Sequence, residues 1–144
     1  MDHKTRLKLT RKLLSNIEKT PKGCWIWQRS TKEGYGCITF KYKDKRRHIY
    51  AHRLAFIIFR NRYDLLENLE LWACHKCEHR ACINPDHIHI GTWLDNAMDD
   101  VMRNAKVSRQ FEQRVVQIYR ETHGLRPCHD VRKHFLRNWH RVKR

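Results

Sequence analysis

Between Cys74 and Asn96 the chain reads CHKCEHRACINPDHIHIGTWLDN. Cys77, Cys82 and His87 recur there at every fifth position, around an Asn84-Pro85 turn. Zinc prefers thiolate and imidazole in a tetrahedral shell, and structural sites usually complete four ligands from the protein. The three residues therefore read as ligands of one structural zinc, with a fourth to come from Cys24, Cys37, Cys74, His79, His89 or Cys128. The plainer alternative is a set of buried cysteines and a surface histidine. Ligand spacing of this kind is a stronger signal than a lone Cys or His, so zinc is preferred. Two residues bracket the ladder, His75 in front and Asn96 behind. An imidazole, with its ordinary pKa of about 6.5, suits a base near neutral pH.

Short elements must hold these groups. The apolar LWA before Cys74 and the alternating HIHIG after Pro85 predict two strands joined by the zinc loop. Thr92-x-x-Asp95 is a capping-box-like helix start, with Asp in place of the usual Glu or Gln. Leu94, Ala97, Met98, Val101, Met102 and Ala105 follow at helical spacing as one apolar stripe. At ~100° per residue Asn96 points away from the middle of that stripe, so the core does not need it. Arg103, seven residues on, shares its face. The order is strand, zinc loop, strand, helix.

With the pieces CWIW, GYG, AHRLAF, CHKC, CINPDHIHIGT and DN, the stretch from Cys24 to Arg103 resembles the HNH endonucleases. These belong to the ββα-metal, or His-Me finger, superfamily. The likeness is to the zinc-stabilised branch of phage- and intron-encoded homing endonucleases. The resemblance implies an α+β fold: a small ββα-metal core with a preceding β-hairpin and flanking helices. It implies a metal-dependent DNA endonuclease in which His75 is the general base and Asn96 holds catalytic Mg²⁺ or Mn²⁺. It also implies a structural zinc on Cys77, Cys82 and His87, with Cys24 as fourth ligand. Cys37 is the replacement should Cys24 fail. Some relatives carry an aspartate where this chain has Cys74, which implies a metal site with one carboxamide from the protein, completed by phosphate and water. For the arginine that some relatives place on the preceding strand, Arg46 and Arg47 are the nearest choices. His75 and Asn96 are expected to face one metal-and-phosphate pocket.

The chain has 144 residues and a formal net charge of +16. A field of that size suits a polyanion, although ribosomal and other basic proteins share it. From Cys74 to Val107 there are four Lys/Arg and five Asp/Glu, whereas Ser108 to Arg144 holds ten against three. The charge thus lies on the arms, as expected if they grip double-stranded DNA. The N-terminal MDHKTRLKLTRK is charged and has no apolar signal region, so the six cysteines are expected reduced or metal-bound rather than in disulfides. The longest apolar run, Leu54 to Phe59, is too short to span a membrane. A cytoplasmic protein is expected, in a bacterial host if phage-encoded, as monomer or homodimer.

Three parts are expected: a basic helix in 1–23, the nuclease in 24–107 and a basic helical arm in 108–144. A strand from Gly34-Tyr35-Gly36 to about Lys41 and a return from Arg46 to Tyr50 read as a hairpin with Lys43-Asp44-Lys45 at its turn. It offers Lys41, Lys43, Lys45, Arg46 and Arg47 to DNA, with Arg103 added from the helix; a two-stranded ribbon fits a major groove. The bland alternative is a lysine-protected edge. Ala51 to Arg60 reads as a buried helix in which His52 packs or hydrogen-bonds rather than catalyses. In the arm, two amphipathic helices flank His123 to Pro127. They read as a phosphate-tracking arm in preference to a helix-turn-helix, because the linker is not a tight turn. Two rivals from other classes are a zinc-stabilised DNA-binding protein without cleavage and a basic RNA-binding protein. A pure binder would need neither His75 nor Asn96.

Overall fold

A computed structural model describes residues 1–77, 79–103 and 107–142, the last four by backbone alone. The expected Ala105 of the helical stripe, and the side chains of Trp139 and Val142, lie outside what it describes. The described chain is mixed α+β and divides into two compact units, Met1–Ile90 and Gly91–Arg144. The expected boundaries at 23/24 and 107/108 do not coincide with this division.

In the first unit, helix α1 (His3–Leu14) is followed by strands β1 (Ile17–Lys19), β2 (Trp25–Trp27), β3 (Thr31–Lys32), β4 (Tyr35–Tyr42) and β5 (Lys45–Tyr50). Helix α2 (Ala51–Phe59), strand β6 (Trp72–His75) and strand β7 (Ile88–Gly91) complete the order. The described strands pair in small sheets: β1-β2, β3-β4-β5 and β6-β7. Helix α2 is the centre of the core. Ala51, Leu54, Ala55, Ile57 and Ile58 are apolar nearly all round and fully buried, as expected of a helix with no solvent face. Leu9 and Leu13 of α1, Ile38 and Phe40 of β4, Trp27, Leu65 and Ile83 share that core. The basic N-terminal helix is therefore a packing element with a solvated charged face.

The β4–β5 hairpin turns through Lys43 and Asp44, both at positive φ (48° and 58°). Two such residues in succession make the turn type whose twist matches a tight hairpin. Register pairs Phe40 with Arg47, Lys41 with Arg46 and Thr39 with His48. Residues directly opposite share a face, and faces alternate along a strand. Ile38, Ile49, Phe40 and Arg47 thus lie on the core side, and Thr39, His48, Lys41 and Arg46 on the outer side. Gly36 answers a close approach: a Cβ there would sit 2.6 Å from the Trp27 indole.

In the second unit, α3 (Trp93–Met102), α4 (Arg109–Thr122) and α5 (Val131–Val142) share one apolar core. Leu94, Ala97, Met98 and Val101 come from α3, Val115 and Tyr119 from α4, Val131 and Phe135 from α5. The capping box forms as read: the Thr92 side chain accepts from the Asp95 backbone, and the Asp95 carboxylate accepts from the Thr92 N–H at 2.8 Å. No helix among the described residues is long and apolar enough to cross a membrane.

Candidate functional site

The metal centre is assembled by one short strand. β2 pairs with β1 on one edge, while its other edge takes residues 81–83. The Trp27 N–H donates to Ala81 O (2.9 Å), the Ile83 N–H to Trp25 O (2.8 Å), and Ile26 bridges Cys82. That places Cys24, at the start of β2, beside Cys82. Asn84 then locks the turn: its side chain donates to Gly23 O at 2.7 Å and accepts from the Asp86 N–H at 3.0 Å. His87 closes the set. The ligand atoms of Cys24, Cys77, Cys82 and His87 all lie within 4.8 Å of one another.

His87 Nδ1 is 3.5 Å from Cys24 Sγ and 3.7 Å from Cys82 Sγ. Zn–S and Zn–N bonds at a tetrahedral angle place S and N about 3.6 Å apart. The donor set and spacing therefore fit a closed structural zinc, with Cys24 rather than Cys37 as the fourth member. Burial pushes the Cys82 thiol up to about 12 and raises that of Cys77. A bound cation reverses that preference by holding thiolates.

His75 ends β6 beside this centre. Its Nε2 lies 2.8 Å from the carbonyl oxygen of Cys82. A carbonyl only accepts, so Nε2 carries the hydrogen and the neutral ring's lone pair sits on Nδ1. A second tie joins the strand to the loop, from the Lys76 N–H to His87 O at 2.7 Å. Two zinc ligands, Cys82 and His87, thus set the ring's tautomer and the strand's end through their backbones.

The ring neighbours of His75 were not legible as a set. His52 is 5 % exposed, with its ring centroid 4.5 Å from that of His75. Tyr35 lies 5.9 Å from His75, and Tyr50 stacks on His52 at 5.6 Å. The GYG and AHR motifs supply Tyr35 and His52; only tertiary packing brings them to one place. Within AHR, His52 Nε2 donates to Ala73 O (3.1 Å) in β6. Arg53 donates to the carbonyls of Leu65, Asn68 and Leu71. The pair buttresses the approach to β6, so His52 serves the hydrogen-bonding role read for it. Arg80 of the zinc loop lies 5.5 Å over the Tyr35 ring.

Burial, then the neighbouring His75, lowers the His52 pKa from 6.5 to about 3. The unfolded chain takes a proton near 6.5 and the folded chain only near 3. Stability from neutral His52 is therefore whole above 6.5 and declines as pH falls through that window. The slope from this group is at most about 1.4 kcal/mol per pH unit. Urea unfolding from pH 7 to 4 should show wild type losing stability faster than His52→Phe; parallel curves would refute it.

Lys41 and Arg46 lie on the outer face of the hairpin, and Lys43 and Lys45 are exposed at its tip. Arg47 lies on the core side, half-buried, with Glu67 2.8 Å away. That engagement takes it off the outer face. Arg103 pairs with buried Asp99 one turn back on α3. Asn96 is half-buried on α3, in the second unit, whereas His75 belongs to the first. Cys74 is buried.

The family described as the zinc-binding loop region of homing endonuclease matches residues 23–136. Protein 2.8 of Escherichia phage T7 is 32% identical over 96 residues, 66% of this chain. The match spans 61% of that protein's length. No solved structure matches the chain.

Proposed function

We propose, for a chain that belongs to the zinc-binding-loop family of homing endonucleases, that it hydrolyses phosphodiester bonds in double-stranded DNA with His75 as general base. The observation that carries this reading is the Nε2–H of His75 donated to Cys82 O. It directs the lone pair of a neutral imidazole to Nδ1, the state a base needs. Nδ1 takes a proton from the water that attacks phosphorus, and the 3′ oxygen leaves and takes a proton from solvent water. The products are a 5′-phosphate and a 3′-hydroxyl. The imidazolium so formed is stabilised by the Cys82 carbonyl, and His52, neutral in its burial, does not oppose it.

Asn96 would hold a divalent metal through its amide oxygen, a hard ligand suited to Mg²⁺ or Mn²⁺. When bound, that ion supplies Lewis acidity to the leaving oxygen. Cys74, buried and without a carboxylate, leaves the chain one such ligand here. The zinc is structural. DNA runs over the outer hairpin face, past Lys41 and Arg46, then His48 and Tyr50, toward His75. Arg47 is not part of this track. In a phage setting the protein would act in the host cytoplasm.

Single-turnover cleavage over a range of Mg²⁺ tests the metal ligand. Asn96→Ala should cut at least ~10²-fold more slowly at low Mg²⁺, as loss of an electrostatic stabiliser implies. Part of that rate should return at high Mg²⁺, because the base remains. His79→Ala, exposed in the zinc loop, should cut normally. A loss in Asn96→Ala that no metal concentration relieves would remove Asn96 from this role.

A further inference from the structure

We infer that α5 is a DNA-reading helix, held in one three-helix body with the helix that carries Asn96, and that it reads bases in a major groove. This rests on the DNA-cleaving reading above. The segment after residue 107 reads as an arm because the linker between its helices is not a tight turn; in the structure eight residues, 123–130, separate them. Those eight residues are a built connector. Arg120 donates to the carbonyls of Arg126 (2.5 Å) and His129 (3.3 Å). The Leu125 N–H donates to Arg120 O (2.9 Å) and the Leu125 side chain packs on the core. The Arg126 N–H donates to His129 Nδ1 at 3.1 Å, and Asp130 caps α5 by accepting from the Lys133 N–H at 3.1 Å. A second set of polar contacts ties the helices: buried Tyr119 meets His134 at 3.4 Å and stacks on His123 at 4.0 Å. A loose phosphate-tracking arm requires none of this.

The outer face of α5 then has a particular chemistry. Val131 and Phe135 point into the core, and Arg132, Lys133, Leu136 and Arg137 are exposed. Residues 131–144 hold six Lys/Arg and no Asp/Glu. Arg132 is steadied by Glu112 of α4. Leu136, 40% exposed, stands among these cations. Cations meet phosphates or guanine edges in a major groove, and an apolar side chain meets the thymine methyl. The major groove of B-DNA admits an α-helix, whereas that of duplex RNA is too deep and narrow. Among the described side chains of α5, Leu136 is the one exposed apolar residue, too little apolar surface to hold a membrane interface. Because α3 and α5 share a core, base reading and the Asn96 metal ligand belong to one body.

Leu136→Ala separates reading from phosphate tracking, since it leaves every charge in place. The full-length chain, without added Mg²⁺, is used to select from duplexes of about 40 base pairs with randomised centres. We expect wild type to enrich a sequence with a thymine that Leu136→Ala ceases to prefer, a change of about tenfold at one position. The slope of log affinity against log salt should not change. Lys133→Gln with Arg137→Gln should lower that slope by up to ~1.8. Selection by Leu136→Ala identical to wild type would overturn the inference. So would equal affinity for duplex RNA, or α5-dependent binding to anionic vesicles without sequence selection on DNA. Selection needs no cleavage: a chain that selects through Leu136 but never cuts would refute the nuclease reading alone.

Discussion

Replacing His75 with alanine is expected to slow single-turnover phosphodiester cleavage by ~10²–10⁴-fold, the usual cost of losing a general base. DNA affinity and zinc content should hardly change. The side chain is half-buried and is no member of the metal set; its hydrogen bond to Cys82 O contributes about 1 kcal/mol to folding. His75→Gln sharpens the test, because an amide can donate to the same carbonyl without acting as a base. It should be as inactive as the alanine variant and more stable. Activity retained in His75→Gln would show that the residue holds the loop and moves no proton.

Removing the zinc should have the largest structural effect. Structural zinc contributes about 10–16 kcal/mol in small zinc-dependent peptides at neutral pH. In the stretch 76–87, the buried residues among those described are Cys82, Ile83, Asn84 and Pro85, so the loop has little apolar core of its own. Cys82→Ser, or prolonged chelation, should therefore lower Tm by more than about 10 °C, at roughly 4–8 °C per kcal/mol. Hydrogen-exchange protection should vanish from the zinc loop and β7 before it does from α2, whose buried core takes only Ile83 from the loop among the described residues. Cleavage should fail with the loop, since the His75 tautomer depends on the Cys82 carbonyl. A zinc-free chain with unchanged Tm would refute a stabilising metal.

Which parts of this arrangement were legible in the sequence follows from how local each one is. The metal set was readable because three ligands lie at even spacing around a turn, and Cys24 was placed by resemblance. What joins Cys24 to Cys82 is the free edge of β2, a pairing across more than fifty residues that periodicity does not register. The helix start at Thr92 was readable because a capping box is local chemistry. Arg47 reads as one more cation in a basic ribbon. Only the hairpin register, which sets it opposite Phe40, and the distant Glu67 reveal its inward place. The connector in 123–130 lacks a tight-turn signature because side chains, chiefly Arg120, supply its order.

Hydrolysis of DNA by a zinc-built, metal-dependent site should show as nicking of supercoiled plasmid. The chain is first shown to carry about one zinc by elemental analysis. It is then incubated with plasmid with and without Mg²⁺. Open circles are expected in the presence of Mg²⁺ alone, with 3′-hydroxyl ends that a polymerase extends without prior phosphatase treatment. Plasmid left supercoiled by zinc-loaded, DNA-bound protein at every Mg²⁺ and Mn²⁺ concentration would contradict it, and would leave a zinc-stabilised DNA-binding protein in its place.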